Sequence, residues 1–186
     1  VDTGSRLICS SINGTRNTGS IGSVLTVKSG SFASITGTVT ADNMSGTIPT
    51  GIVIDGASKA YIYSFSMKNI SSSLNIISVD RQSELAMYSA DFTNSAFSSY
   101  CIKIWNNSKF TCRDMDLSTC TLSNQPTYYF IQSRWSSSIF ISYSNLNNFT
   151  LDVEDGGILN VAVQNTNISG ISQTANTLTA DGIIYT

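Results

Sequence analysis

The chain has no histidine among its 186 residues, which removes Ser-His and Cys-His nucleophile pairs and the commonest metal ligand together. No phosphate-cradling glycine loop, dinucleotide fingerprint or calcium-loop spacing is present. The four cysteines, Cys9, Cys101, Cys112 and Cys120, show neither metal-type spacing nor the density of a disulfide framework. We read them as buried reduced thiols in preference to a Cys112–Cys120 bridge. What remains is carboxylate chemistry. Glycoside hydrolysis needs two carboxylates across one groove, roughly 5–5.5 Å apart for retention and 6.5–9.5 Å for inversion. The candidates are Asp80, Glu84, Asp91, Asp114 and Asp116, paired as Asp91 with Asp116 or Asp80 with Glu84. A repeat protein with twelve acids offers such pairs by chance, so the expectation is that they are mostly structural. No cofactor and no metal is expected.

A second set of residues suits contact rather than catalysis. Tyr61, Tyr63, Tyr88, Trp105, Tyr128, Tyr129, Arg134 and Trp135 fall at positions expected to point outward. Aromatic faces beside Asp, Asn and Arg fit sugar rings, whose C–H faces stack while their hydroxyls form hydrogen bonds. The same residue types are enriched in protein interfaces. Subunit contact and glycan contact are therefore both open at these positions.

These residues are placed by a repeat. One frame recurs: apolar-x-apolar, four residues, apolar, two residues, apolar. It reads Ala60-x-Ile62, Met67, Ile70, and again Phe110-x-Cys112, Leu117, Cys120. A second alternating pair closes most copies, as in Leu25-x-Val27, Ile52-x-Ile54, Ile77-x-Val79 and Ile102-x-Ile104. The step from that pair to the next copy is always six positions, Val27 leading to Ala33, Ile54 to Ala60 and Val79 to Leu85. Period-two alternation means strand, and corners are marked by turn residues such as Asp55-Gly56. About 25 residues per copy leaves no room for a crossover helix, so equivalent strands must stack in parallel. The expected fold is all-β, a right-handed single-stranded parallel β-helix, with residues 1–186 as one domain.

Within that frame Ile62, Met87, Cys112 and Ile141 should form one inward stack. Lys59/Glu84/Lys109, Tyr61/Ala86/Thr111/Phe140 and Tyr63/Tyr88/Arg113/Ser142 should form outward columns. Ser66, Asp91, Asp116, Asn145 and Asn167 share one place, where short polar side chains satisfy a bend and bond between coils. Composition agrees: 12% of residues are charged and 41% hydrophobic, and polarity comes from Ser, Thr and Asn. A net charge of −2 without a Lys/Arg cluster argues against nucleic acid as a partner. No apolar run is long enough for membrane insertion.

The irregular coils, the Ser/Asn/Thr-rich faces, the open turn Asp55-Gly56-Ala57-Ser58 and the closing Thr179-Ala180-Asp181-Gly182-Ile183-Ile184-Tyr185 resemble the β-helical tail fibres and tailspikes of bacteriophages. The resemblance covers most of the chain and rests on pattern, with no diagnostic motif. It implies a homotrimer carried on a virion, assembled in the host cytoplasm, contacting a bacterial surface glycan. Many such proteins cleave that glycan with acidic residues, but no catalytic residue carries over by motif. The start at Val1 without an initiator methionine is what a piece of a longer fibre protein would show. The rival class is a secreted β-helix, either a polysaccharide lyase, for which Arg113 with Asp114-x-Asp116 is a thin match, or an adhesin.

Overall fold

The computed structural model describes residues 1–14, 22–43, 50–73, 75–97, 101–117, 119–122, 131–142, 151–153, 156, 158–162 and 183–185. Among them every regular element is a strand and every strand pairing is parallel. The strands stack into a β-solenoid. Leu7 pairs with Ala33, Ala33 with Ala60, Ala60 with Leu85, Leu85 with Phe110 and Phe110 with Ile139. Three sheets result. The main sheet holds the long strands Phe32–Thr40, Lys59–Ser66, Glu84–Asp91 and Lys109–Asp116 with their neighbours. A second holds Ser23–Val27, Thr50–Ile54, Asn75–Val79, Ile102–Ile104, Ile131–Ser133 and Leu151–Val153. A short one joins Ser71–Ser73, Ala96–Phe97 and Thr121–Leu122.

The alternation of the sequence explains which side chains face the core. Cys9, Ile35, Ile62, Met87, Cys112 and Ile141 lie in register on successive coils, and from Ile35 to Ile141 each is at most 5% exposed. The expected inward stack is therefore present. The four-residue gap of the repeat hides a further inward residue. Val39, Phe65, Ala90 and Met115 are buried there, because the strand bends after two successive outward residues such as Tyr63-Ser64. Ala90 leaves room for Phe65 to meet Phe92 edge-on at 5.5 Å between ring centroids, a contact worth about 0.5–1.5 kcal/mol beyond its area. In the strand before, the register shifts between Ile35 and Thr38, where a Cβ on Gly37 would run into the Ser10 carbonyl.

Both kinds of corner repeat as faithfully as the strands. Between second and main sheets two consecutive residues take positive φ: Ser29-Gly30, Gly56-Ala57, Arg81-Gln82, Asn106-Asn107 and Trp135-Ser136. After the main strand a single asparagine does so, at Asn43, Asn69 and Asn94, and Asn69 Nδ2 donates to Asn43 Oδ1 at 2.9 Å. Asparagine is the non-glycine residue that tolerates this region best.

A buried serine ladder completes the first corner. The backbone N–H of Ser5 donates to Ser31 Oγ, Ser31 to Ser58, Ser58 to Ser83, Ser83 to Ser108 and Ser108 to Ser137, at 3.1 to 3.2 Å. Each serine from Ser31 on is at most 2% exposed, so each hydroxyl satisfies an amide that water does not reach. Replacing Ser83 with Ala should strand the Ser58 N–H and lower unfolding free energy by about 1–3 kcal/mol. Urea denaturation measures this, with Ser89→Ala, at a partly exposed place on the strand that follows, expected to cost roughly 0.5 kcal/mol or less.

Candidate functional site

The long strands of the main sheet turn three columns outward. The first is Arg6, Phe32, Lys59, Glu84 and Lys109; the second is Ile8, Ser34, Tyr61, Ala86, Thr111 and Phe140. The third is Tyr63, Tyr88 and Arg113, fixed by the pairings on either side of it. The first two match the expected columns. The third does so from Tyr63 to Arg113, but Ser142, expected to extend it outward, is buried, because the strand Ser138–Ser142 ends on two successive inward residues, Ile141 and Ser142. Tyr61, Tyr63, Tyr88 and Phe140 are 40–55% exposed, a heavy aromatic load for an outer face.

The columns do not present their rings alike. Tyr63 and Tyr88 stack face to face, 5.1 Å apart at 2°, and the Arg113 guanidinium carbon lies 5.2 Å from the Tyr88 centroid. One face of Tyr88 is thus taken by Tyr63, and Arg113 also lies against the ring. Tyr61 leans on Phe32 at 5.7 Å and 57°, and its neighbour on the following coil is only Ala86. The small Ala86 side chain opens a notch between the second and third columns. A groove of about 420 Å³ occupies it, walled by Tyr61, Tyr63, Tyr88 and Arg113 and floored by Ile62 and Met87.

A second cluster lies on the second sheet. Lys103 Nζ sits 3.4 Å from the Trp105 ring centroid, Trp105 meets Trp135 edge-on at 4.9 Å, and Trp105 Nε1 donates to Gln132 Oε1 at 2.8 Å. Trp135 is exposed, but Trp105 and Arg134 are half-buried, so this group is mostly packed on itself. Burial holds the Lys103 ammonium below its ordinary pKa, with Asp80 opposing that shift. Tyr128 and Tyr129 lie outside the described residues, as do Asn145 and Asn167.

The five candidate acids divide between the two ends of the main strands, Asp80 and Glu84 at one and Asp91, Asp114 and Asp116 at the other. Asp80 Oδ1 accepts the Arg81 N–H and Asn106 Nδ2, both at 2.7 Å, so it braces the corner. Glu84 pairs with Lys59 at 3.4 Å on the outer face, an ion pair worth roughly 0–1 kcal/mol. Asp91 and Asp116 are in register, yet Asp91 Oδ1 already accepts the N–H and hydroxyl of Thr93. Its other oxygen lies 3.4 Å from Lys68 Nζ, which also reaches Asp42 at 4.0 Å. Asp114 is exposed beside Arg113 and lies opposite Ser89. Glu84 and Asp91 are seven residues apart on one strand, roughly 20 Å, so acids from the two ends cannot share one glycosidic bond.

The expected polar ladder holds only in part. Ser66 donates to Asp42 at 2.7 Å between coils, whereas the Asp91 contacts to Thr93 stay within one coil. Sequence reasoning missed Asp55. Arg81 binds its carboxylate with both Nε and an Nη, and that hydrogen bonding holds the Asp55 carboxyl below its ordinary range. The signal was there, since Asp55 occupies the place in its coil that Asp80 and Trp105 occupy in theirs. No protein-family model matches the chain, and no curated protein or solved structure proves similar to it.

Proposed function

We propose that this β-solenoid is a structural and receptor-binding part of a bacteriophage tail fibre or tailspike that contacts a bacterial surface polysaccharide. The observation that carries the reading is the shallow, open groove beside Ala86, lined by aromatic rings on the outer face of stacked strands. Sites on strands hold their side chains more precisely than sites on loops, and an outer face of stacked coils suits an extended polymer. On this reading the protein is a homotrimer, whose subunits cover part of the exposed aromatic surface, and it resides on the virion.

Asp91 next to Asp116 favours a second reading, a polysaccharide-degrading enzyme, because carboxylates in register on neighbouring strands, about 4.8 Å apart at the backbone, can splay to glycosidase spacing. The commitment of Asp91 to Thr93 and Lys68 speaks for adhesion instead. Incubation with host capsule or O-antigen should show binding without released oligosaccharides, and light scattering should give three times the chain mass. Cleavage that disappears in a well-folded Asp91→Asn or Asp116→Asn variant would replace adhesion with catalysis. A monomer mass at micromolar concentration would remove the fibre assignment.

A further inference from the structure

Resting on that glycan-binding reading, we infer that the corner between the second and main sheets carries a second glycan site, which takes a neutral polysaccharide with one sugar ring stacked on Trp135. Trp135 is the first residue of a corner pair and takes φ 52°. Gly56 and Asn106 stand at the same place on other coils. Those residue types suit the left-handed region, whereas a bulky side chain there is strained. The tryptophan gains little burial in return, since 41% of it is exposed. Strain held at an exposed aromatic is the mark of a ligand clamp, where the compensating contact comes from outside the fold.

The surroundings present that ring. Trp105 is held by Lys103 over its face at 3.4 Å and by its own hydrogen bond to Gln132, and Trp135 meets it edge-on at 72°. An edge-on contact takes at most one face of the Trp135 indole. The Trp135 carbonyl accepts the Asn107 N–H at 2.9 Å, and from there the corner continues into a groove of about 380 Å³ along Asn106, Asn107, Arg81, Gln82 and Gly56. Three coil steps lead from Gly56 through Arg81 and Asn106 to Trp135, roughly 14 Å, which suits a short run of sugars. The side-chain amides of Gln82 and Asn107, both exposed, offer donors and acceptors together and so match hydroxyls, which do both. Arg81 is already bound to the Asp55 carboxylate through Nε and an Nη, and Asp80 accepts the Arg81 N–H and Asn106 Nδ2. With those charges answered inside the protein, the groove reads hydroxyls in preference to ionic groups, and the ligand it fits is neutral.

Both tryptophans of the chain lie in this cluster, so their emission reports on this site and not on the groove beside Ala86. The intact chain is titrated with neutral hexose-based O-antigen polysaccharides and, in parallel, with a uronic-acid capsular polysaccharide, reading tryptophan emission and biolayer interferometry together. The neutral polymer should bind and shift the emission, with an affinity that changes by less than about twofold between low and high salt. Trp135→Asn, which copies the preceding corner, should weaken that binding by roughly tenfold or more while the melting temperature holds or rises. Gln82→Ala with Asn107→Ser, each taken from the same place on a neighbouring coil, should weaken it too and leave the emission of the free protein as it was. Binding that keeps its strength in Trp135→Asn and is lost in Ala86→Ile would place the glycan in the first groove alone and overturn the corner site. A lowered melting temperature in Trp135→Asn would overturn it as well, by making the indole a packing residue. So would an emission that responds to dilution of the chain and to no glycan, the sign of a subunit contact. A salt-sensitive preference for the uronic-acid polymer would overturn the neutral assignment. Failure of every polysaccharide to bind the wild type would instead end the glycan reading itself.

Discussion

Ile141→Asp should fail to fold, while Phe140→Asp, one residue earlier, should fold as the wild type does. Ile141 is fully buried in the stack with Cys112 and Met87, and Phe140 is 40% exposed. A carboxylate at position 141 would meet the buried apolar stack of Cys112 and Met87 on the preceding coils. Burying it unpaired costs several kcal/mol even after the group shifts its pKa, against a total stability of about 5–15 kcal/mol. At position 140 the same carboxylate stays in water and costs roughly 0.5 kcal/mol. Soluble yield and far-ultraviolet circular dichroism read the outcome directly. Tolerance of aspartate at both positions, or at neither, would sink the strand assignment, since only period-two alternation gives adjacent residues opposite fates. Ile62→Asp, on the same stack three strands away, should repeat the Ile141 result.

That contrast also marks what could be read without coordinates. Alternation at Ala60-x-Ile62 and Ile52-x-Ile54, with the constant six-residue step between them, was enough for the stacking register, because an inward row of apolar side chains admits one register only. Tyr61, Tyr63 and Tyr88 were placed outside for the same reason and are exposed, whereas Trp105 turned out half-buried. The bend of the main strand was not legible, since two successive outward residues break the alternation and Phe65, Ala90 and Met115 then look like strays. The serine ladder was missed although its signal is regular. Ser31, Ser58, Ser83, Ser108 and Ser137 each stand two places before the first apolar residue of a coil. In a chain so rich in serine that recurrence blends into composition, and only the buried amides it satisfies give it meaning.

The acids show the other limit. Which of them are neighbours follows from the register, and Asp91 beside Asp116 was expected and found. Their partners were not readable, because Thr93, Lys68 and Arg81 reach them through long or local side-chain contacts that no repeat position announces. The Ala86 notch is similar. It exists through what is missing from an aromatic column, and a small residue in a strand draws no notice until its neighbours are known.

Stability should fall steeply in alkali, and the cause should be three thiols. All four cysteines are free, as expected, but only Cys101 and Cys112 are fully buried, and Cys9 and Cys120 are half-buried. Burial pushes Cys112 and Cys120 up to about 12, and burial next to Cys120 pushes Cys101 well above its ordinary value. Cys120 Sγ donates to the Phe92 carbonyl at 2.8 Å, as Ser95 Oγ one coil earlier donates to Met67. A thiolate would turn that bond into repulsion. The sign follows from proton binding. Up to about pH 8.5 the thiols are neutral in both states. Above it the unfolded chain releases protons that the native state keeps, so unfolding gains about 1.4 kcal/mol per pH unit for each thiol. The loss continues until the native thiols ionise near 12. Cys112 and Cys120 together should therefore remove roughly 3–4 kcal/mol between pH 8.5 and pH 10. Urea titrations under reductant at pH 7.5 and pH 10 measure the loss. The comparison that decides is with the double variant Cys112→Val, Cys120→Ser. Valine suits an inward strand position, and serine reproduces the Ser95 arrangement. That variant should lose about 3 kcal/mol less than the parent over the same interval. If parent and variant decline in parallel, the buried thiols do not govern the alkaline limit.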